Sequence, residues 1–297
     1  MALTPEPDSK EILAIFGPGN LGIALAGFAA ERGLEVLLAG RDGAHGSEGV
    51  SRIHARWERD VAQGKRSAQA VVAARSRLRK ATSVEMALEQ ATVIMEAVPE
   101  DLESKQRLWS KLSRSPTVPA LLLTGSSSLP LAEIRRGASL DAWLLGFHLF
   151  LPLDRMDALE LVTEAGTPPD LVARAEALGE ALGRHTFRVL DGAGYAASRM
   201  ALAQGLEAMR LLERGLATAA ALDGLMTRGY GHPVGPLELS DRIGLDLRLS
   251  IAQGLHQATG NPAFQPPPIL EGLVRRGCTG RSAGVGFYRW NPEGTRQ

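Results

Sequence analysis

A single cysteine, Cys278, occurs in 297 residues, so no internal disulfide can form, and no Cys/His cluster has the spacing of a zinc site. Net charge is missing as well. The 33 basic residues balance 33 acidic ones, which removes the one-signed field that draws a protein to nucleic acid or to anionic lipid. Neither is an expected partner. The uncharged run Ile12 to Ala30 approaches a membrane-spanning length, but Pro18, Asn20 and the glycines Gly17, Gly19 and Gly22 break its centre. Residues 1–10 also lack the basic start of a signal peptide. The run reads as a buried strand, a tight turn and a buried helix, and the expected location is cytoplasmic. What is present is a 44% hydrophobic content, enough for one large core or two ordinary ones.

From Ile12 to about Leu190 short apolar runs alternate with helical patterns, the signature of an α/β fold with a doubly wound, mostly parallel sheet. The expected strands are Ile12 to Phe16, Val36 to Ala39, Val93 to Val98, Ala120 to Thr124, Trp143 to Phe147, Leu159 to Val162 and Phe187 to Leu190. Expected helices include Leu21 to Arg32, Asp101 to Leu112 and Pro169 to Leu182. Beyond Asp191 the pattern changes: Leu202, Leu206, Met209, Leu212 and Leu216 recur at helical steps. Three regions are therefore expected: a flexible extension over 1–10, a dinucleotide-binding domain over 11–191 and a smaller all-helical domain over 192–297. In the last of these, Gly231 to Asp246 is punctuated like a structured turn, and its His232 and Asp241 read as packing residues. The histidines His45, His54, His185 and His256 share no metal-like spacing.

GPGNLG, Gly17 to Gly22, fits G-x-G-x-x-G between an apolar strand and an apolar helix. Gly17, Gly19 and Gly22 let backbone approach a pyrophosphate, and the helix N-H groups around Pro18, Asn20 and Leu21 stabilise its charge. At the tip of the second strand stands Gly40-Arg41, where an acidic residue would hold the ribose hydroxyls of NAD. Without that acid, and with an arginine able to pair with a 2′-phosphate, NADP(H) is expected in preference to NAD(H). Ligands collect at carboxyl ends of strands in such sheets, so Ala97, Val98, Glu100 and Lys105 in EAVPEDLESK are placed near the nicotinamide half.

GPGNLG, MEAVPEDLESK, TGSSSLPLAEI, GFHLFLPLDRMDALELV, DGAGYAASRM, GPLELSDRIGLD and GRSAGVGFYRW together resemble, in order and spacing, the 3-hydroxyacyl-CoA dehydrogenase family. The resemblance covers Ile12 to Trp290. It implies a Rossmann-type N-terminal domain, a helical C-terminal domain that forms a homodimer, an active site in the cleft between them, and hydride transfer between a nicotinamide and C3 of an acyl thioester. His148 and Glu160 match the family's catalytic pair, and an imidazole titrating near neutrality suits the proton transfer that oxidising a secondary alcohol requires. Ser127 matches a residue that contacts substrate oxygen and cofactor, and its hydroxyl can donate to a polarised carbonyl.

Departures from the family pattern cluster at the same place. Leu151 and Ser198 stand where the family has asparagines, and Gly125 begins GSSS where NTSS is usual. The chain has only Asn20, Asn261 and Asn291, so no nearby amide has slipped register. Arg56 and Gln63 replace a Ser and a Lys that the family can place near CoA, and Ser282 replaces a Lys. The basic stretch Lys65, Arg66, Arg75, Arg77, Arg79 and Lys80 suits the phosphates of CoA, an acidic acyl carrier protein, or simply water. Three readings stay open: an acyl-thioester dehydrogenase, a dehydrogenase of a non-thioester hydroxy acid, and a nucleotide-binding protein that has lost catalysis.

Overall fold

A computed structural model describes residues 11–40, 43–115 and 121–297. The chain divides into two compact units between Tyr195 and Ala196.

The first unit is an eight-stranded sheet in the order β3-β2-β1-β4-β5-β6-β7-β8. Its strands are β1 Ile12–Phe16, β2 Glu35–Ala39, β3 Leu78–Lys80, β4 Val93–Glu96, β5 Leu121–Thr124, β6 Leu144–Leu149, β7 Ala158–Thr163 and β8 His185–Leu190. The helices are α1 Asn20–Glu31, α2 Gly43–Ala62, α3 Ala68–Arg77, α4 Val84–Gln90, α5 Leu102–Leu112, α6 Leu131–Ala138 and α7 Pro169–Ala181. All pairs are parallel except β6 with β7. Central strands are apolar at nearly every position because helices cover both faces. In β1, Leu13 and Ile15 pack under α1, α2 and α7 with Leu25, Trp57 and Leu178, while Ala14 and Phe16 face α4, α5 and α6 with Leu88, Trp109 and Ile134.

The observed strands differ from the expected ones mainly at their ends. The strand from Val93 ends at Glu96, because Glu96 turns its side chain back to accept from the Val98 N-H at 2.8 Å. Strand β3 was not foreseen: its three residues pair with β2, and only Leu78 is buried. Ala120, the expected start of β5, lies outside the described residues.

The second unit is helical, with α8 Ala197–Glu213, α9 Ala219–Gly224, α10 Pro236–Ile243, α11 Leu245–Thr259 and α12 Pro268–Arg275. Leu202, Leu206 and Met209 of α8 are buried as their spacing predicts, whereas Leu216 falls beyond the helix end and is exposed. Gly231 to Asp246 is more than a turn, since it contains α10. Asp223 starts that helix: its carboxylate accepts from Leu237 N-H and Glu238 N-H, both at 2.9 Å, satisfying donors a helix leaves unpaired. Asp241 accepts from the N-H groups of Phe287 and Tyr288 and from the Trp290 indole, which pins the C-terminal segment and gives it the packing role expected of it. Burial pushes the Asp241 carboxyl above its ordinary pKa against those three donors.

Candidate active site

The glycine turn follows β1 and opens α1. Gly17 adopts φ +114°, and a Cβ there would lie 2.5 Å from the Ala97 carbonyl oxygen. A Cβ on Gly22 would fall 1.9 Å from the Gly17 carbonyl oxygen, so this position admits no side chain. Gly19 differs: a Cβ there would find no atom closer than 4.0 Å. Gly19 borders a cavity of about 720 Å³ that Gly17, Pro18, Asn20 and Leu21 also line, together with Gly40, Ala97 and Val98. No side chain caps α1 and no acidic residue occupies its first turn. Its leading N-H groups are therefore available to an anion, and a dinucleotide pyrophosphate fits this turn.

Gly40 ends β2 for a steric reason. A Cβ there would sit 2.5 Å from the His45 Cβ and 2.8 Å from the Gly46 nitrogen, so neither aspartate nor glutamate has room. Arg41 lies outside the described residues. The cavity also recruits residues the sequence reading passed over: His45 near the start of α2, and Ser104, Arg107, Leu108 and Lys111 along α5. Their signal was the three- and four-residue step on one helix face.

Lys105 and Glu100 do not line that cavity. Lys105 is 1% exposed, and its ammonium lies 2.8 Å from Glu96 and 3.2 Å from Glu100. One buried cation thus holds two carboxylates. Burial raises the Glu96 pKa more than Lys105 lowers it. For Glu100 burial again raises the pKa, but Lys105 and the bonds from Ser126 and Ser127 outweigh it and hold the carboxyl below its ordinary range. Glu100 Oε1 gathers the whole serine loop: it accepts from Ser126 Oγ, from the N-H and Oγ of Ser127, and from the N-H and Oγ of Ser128. The loop after β5 is therefore built rather than loose.

His148 is the penultimate residue of β6 and is 8% exposed; Glu160 in β7 is 4% exposed. The two are direct cross-strand partners in the antiparallel pair, and Nδ1 of His148 lies 2.7 Å from Oε2 of Glu160. The Phe150 ring lies tilted against the imidazole, 4.4 Å between centroids. A carboxylate on Nδ1 keeps a proton there and leaves Nε2 as the basic nitrogen. Leu151, in the following loop, is 46% exposed and borders a second cavity of about 430 Å³ shared with Phe28, Arg32, Arg56, Arg66 and Asp154. Arg66 pairs with Glu31 and Asp60, and Arg75 with Glu58, so two of the six basic residues of that stretch are neutralised by carboxylates. Ser198 is the second residue of α8 in the other unit. Among the described residues no group of three His, Cys, Asp or Glu side chains can hold a metal, and no helix is long and apolar enough to cross a membrane.

A doubly wound sheet with an open glycine turn at β1 and a buried His-carboxylate pair defines a dinucleotide-binding protein of the Rossmann class. The profile of the 3-hydroxyacyl-CoA dehydrogenase NAD binding domain matches residues 12–192, and that of the family's C-terminal domain matches residues 194–290. The chain belongs to the 3-hydroxyacyl-CoA dehydrogenase family. It is 31% identical over 279 residues to a probable 3-hydroxybutyryl-CoA dehydrogenase of Bacillus subtilis, covering 94% of this chain and 96% of that one. A 3-hydroxybutyryl-CoA dehydrogenase of Mycobacterium tuberculosis is also 31% identical, over 95% of this chain and 99% of its own. The crystal structure of Mycobacterium tuberculosis FadB2 superposes with a TM-score of 0.86 at 30% identity, covering 96% of this chain and all of that one.

Proposed function

We propose that this chain transfers hydride between NADP(H) and the C3 hydroxyl or ketone of an acyl-CoA. The observation that carries the reading is the buried 2.7 Å contact of His148 with Glu160 at the carboxyl end of β6, where ligands gather in such sheets. When bound, the nicotinamide supplies the site that accepts or gives the hydride. The chain supplies the rest. His148 Nε2 takes the C3 hydroxyl proton on oxidation and returns it on reduction, while Glu160 fixes the ring and stabilises the imidazolium. Ser127 Oγ donates to Glu100 as it stands. To donate to the substrate oxygen it must release Glu100, which keeps Lys105 and its bonds from Ser126, Ser128 and the Ser127 N-H. Ser198 enters this reading through the family pattern alone.

NADP(H) preference rests on the exclusion of an acid from position 40, on Arg41 beside it, and on the basic lining of Arg107 and Lys111. A CoA carrier rests on Arg32 and Arg56 in the second cavity, which suit a nucleotide's phosphates. Exposed Leu225, Tyr230 and Leu247 in the helical unit suit the homodimer that the family pattern implies.

The test is a nicotinamide-absorbance assay with CoA-bound, carrier-bound and free 3-hydroxy acids, each with NADPH/NADP and NADH/NAD. Turnover of the CoA esters with NADPH preferred is expected, and Arg41→Ala should shrink that preference about tenfold. Turnover of free acids alone would move the substrate out of the thioester class. NADPH binding without any turnover would make the chain a nucleotide-binding protein without catalysis. Equal affinity for NADPH and NADH would defeat the cofactor assignment.

A further inference from the structure

Tyr195 adopts φ +45°, a left-handed conformation that is costly for a bulky side chain, and it does so while only 2% exposed. Among the described residues Ser139 is the other non-glycine residue with positive φ, and its reason is plain, since it ends α6. Tyr195 ends no helix. It follows Gly194 in the turn between β8 and α8, at the close of the first unit.

What the conformation achieves is a placement. The phenol hydroxyl donates to the Leu129 carbonyl at 2.8 Å, just after the serine run, and the ring lies 6.4 Å from the His148 imidazole between centroids, tilted by 52°. That separation and tilt suit an edge-to-face pair. The hydroxyl lies over Gly146, where a Cβ would come within 3.4 Å of it, and Gly146 stands two residues before His148 on the same face of β6. One side chain thus borders both the loop and the base.

Its neighbours complete a strap. Gly194 N-H donates to the Ser128 carbonyl at 2.7 Å, and the Asp191 carboxylate accepts from Leu131 N-H at 3.0 Å and Ala132 N-H at 3.2 Å. Residues 191–195 therefore grip the chain from Ser128 to Ala132, while Glu100 gathers Ser126, Ser127 and Ser128. Of these holds, only the phenol also reaches the imidazole. Burial pushes the Tyr195 hydroxyl well above its ordinary pKa, more than Ser126 beside it lowers it. The phenol stays protonated and serves as a donor, and it carries no proton for the reaction.

We propose that Tyr195 is a positioning residue of the hydride-transfer site, fixing the serine loop, and with it Ser127, against His148. This rests on the dehydrogenase reading above. The hydroxyl holds the loop, and the ring flanks the base.

The test compares Tyr195→Phe with Tyr195→Leu, each alone and combined with Ser127→Ala. Tyr195→Phe removes one hydrogen bond and should lower kcat for 3-hydroxybutyryl-CoA roughly three- to tenfold, with KM and NADPH affinity within about twofold of wild type. Tyr195→Leu loses the ring as well and should lower kcat about a hundredfold. With Ser127→Ala already present, Tyr195→Phe should have no further effect on kcat, because no hydroxyl is left to place. A residue serving folding alone would lower the melting temperature and leave kcat of the folded enzyme unchanged. Hydrogen exchange, which needs no turnover, should quicken at least about fivefold at Leu129 N-H and Gly194 N-H in Tyr195→Phe, a variant that keeps the ring should Tyr195→Leu fail to fold. A kcat for Tyr195→Phe within about twofold of wild type, an equal loss with and without Ser127→Ala, or unchanged exchange at both amides overturns the proposal. Quickened exchange in a chain that turns over no acyl-CoA supports the hold on the loop and defeats the dehydrogenase reading instead.

Discussion

Replacing Glu160 by glutamine removes the charge from the His148 contact while keeping its shape. The bond is 2.7 Å long between side chains of which 10% and 5% is exposed. A hydrogen bond to a charged group contributes about 1.5–3 kcal/mol net. Coulomb attraction across 2.7 Å at an effective dielectric near 20 sets a ceiling of about 6 kcal/mol once the ring is an imidazolium. The imidazolium forms only as the hydroxyl proton moves, so most of the loss falls on the transition state and thus on kcat. An amide can also donate to Nδ1 and reverse the tautomer, which removes the base from Nε2. A loss of about 2–4 kcal/mol corresponds to kcat lowered roughly 30- to 1,000-fold. The assay is steady-state oxidation of 3-hydroxybutyryl-CoA at saturating substrate, with NADPH affinity measured alongside as a check on the fold. A kcat within threefold of wild type, with cofactor affinity intact, would refute the role given to the pair.

Gly19→Ala and Gly22→Ala separate nucleotide binding from folding: the first places its methyl in open cavity and should lower nucleotide affinity at least about tenfold with unchanged melting temperature, while the second meets the Gly17 carbonyl and should lower both. Calorimetric titration and thermal unfolding check the pair. Glu100→Gln should cost about 1–2 kcal/mol by urea titration at pH 7, a figure reduced from that of a fully buried ion pair because a third of the Glu100 side chain is exposed. Because the folded-state pKa of Glu100 is depressed, its contribution is complete above the unfolded value near 4.5 and is lost as pH falls through the folded one, so the wild-type advantage should vanish in acid. Glutamate at both Leu225 and Tyr230, which are 63% and 79% exposed, should turn a dimer into a monomer by light scattering.

The nucleotide half was legible because its signals are local. Strand, glycine turn and helix lie within twenty residues, and β1 runs from Ile12 to Phe16 as its apolar residues indicate. What stayed hidden depended on distant partners. Leu78 to Lys80 reads as the end of a basic helix until β2 pairs with it. Burial of a lysine is rare, and only tertiary contacts reveal that Lys105 is enclosed and paired with Glu96 and Glu100. Asp223, fourteen residues before the Leu237 N-H it caps, carries no short-range signature.

The direction of one strand matters more than any of these. A parallel β7 would require a long crossover returning to the far side of the sheet, and its leading residues would then lie beside the beginning of β6. Here residues 150–157 fold straight back, so the first half of β7 meets the last half of β6 and positions twelve apart become opposed across the ladder. His148 already sits at the end where a doubly wound sheet binds its ligands, and the reversal delivers Glu160 to that end from the next strand. The sheet thereby opposes an imidazole and a carboxylate through backbone register alone.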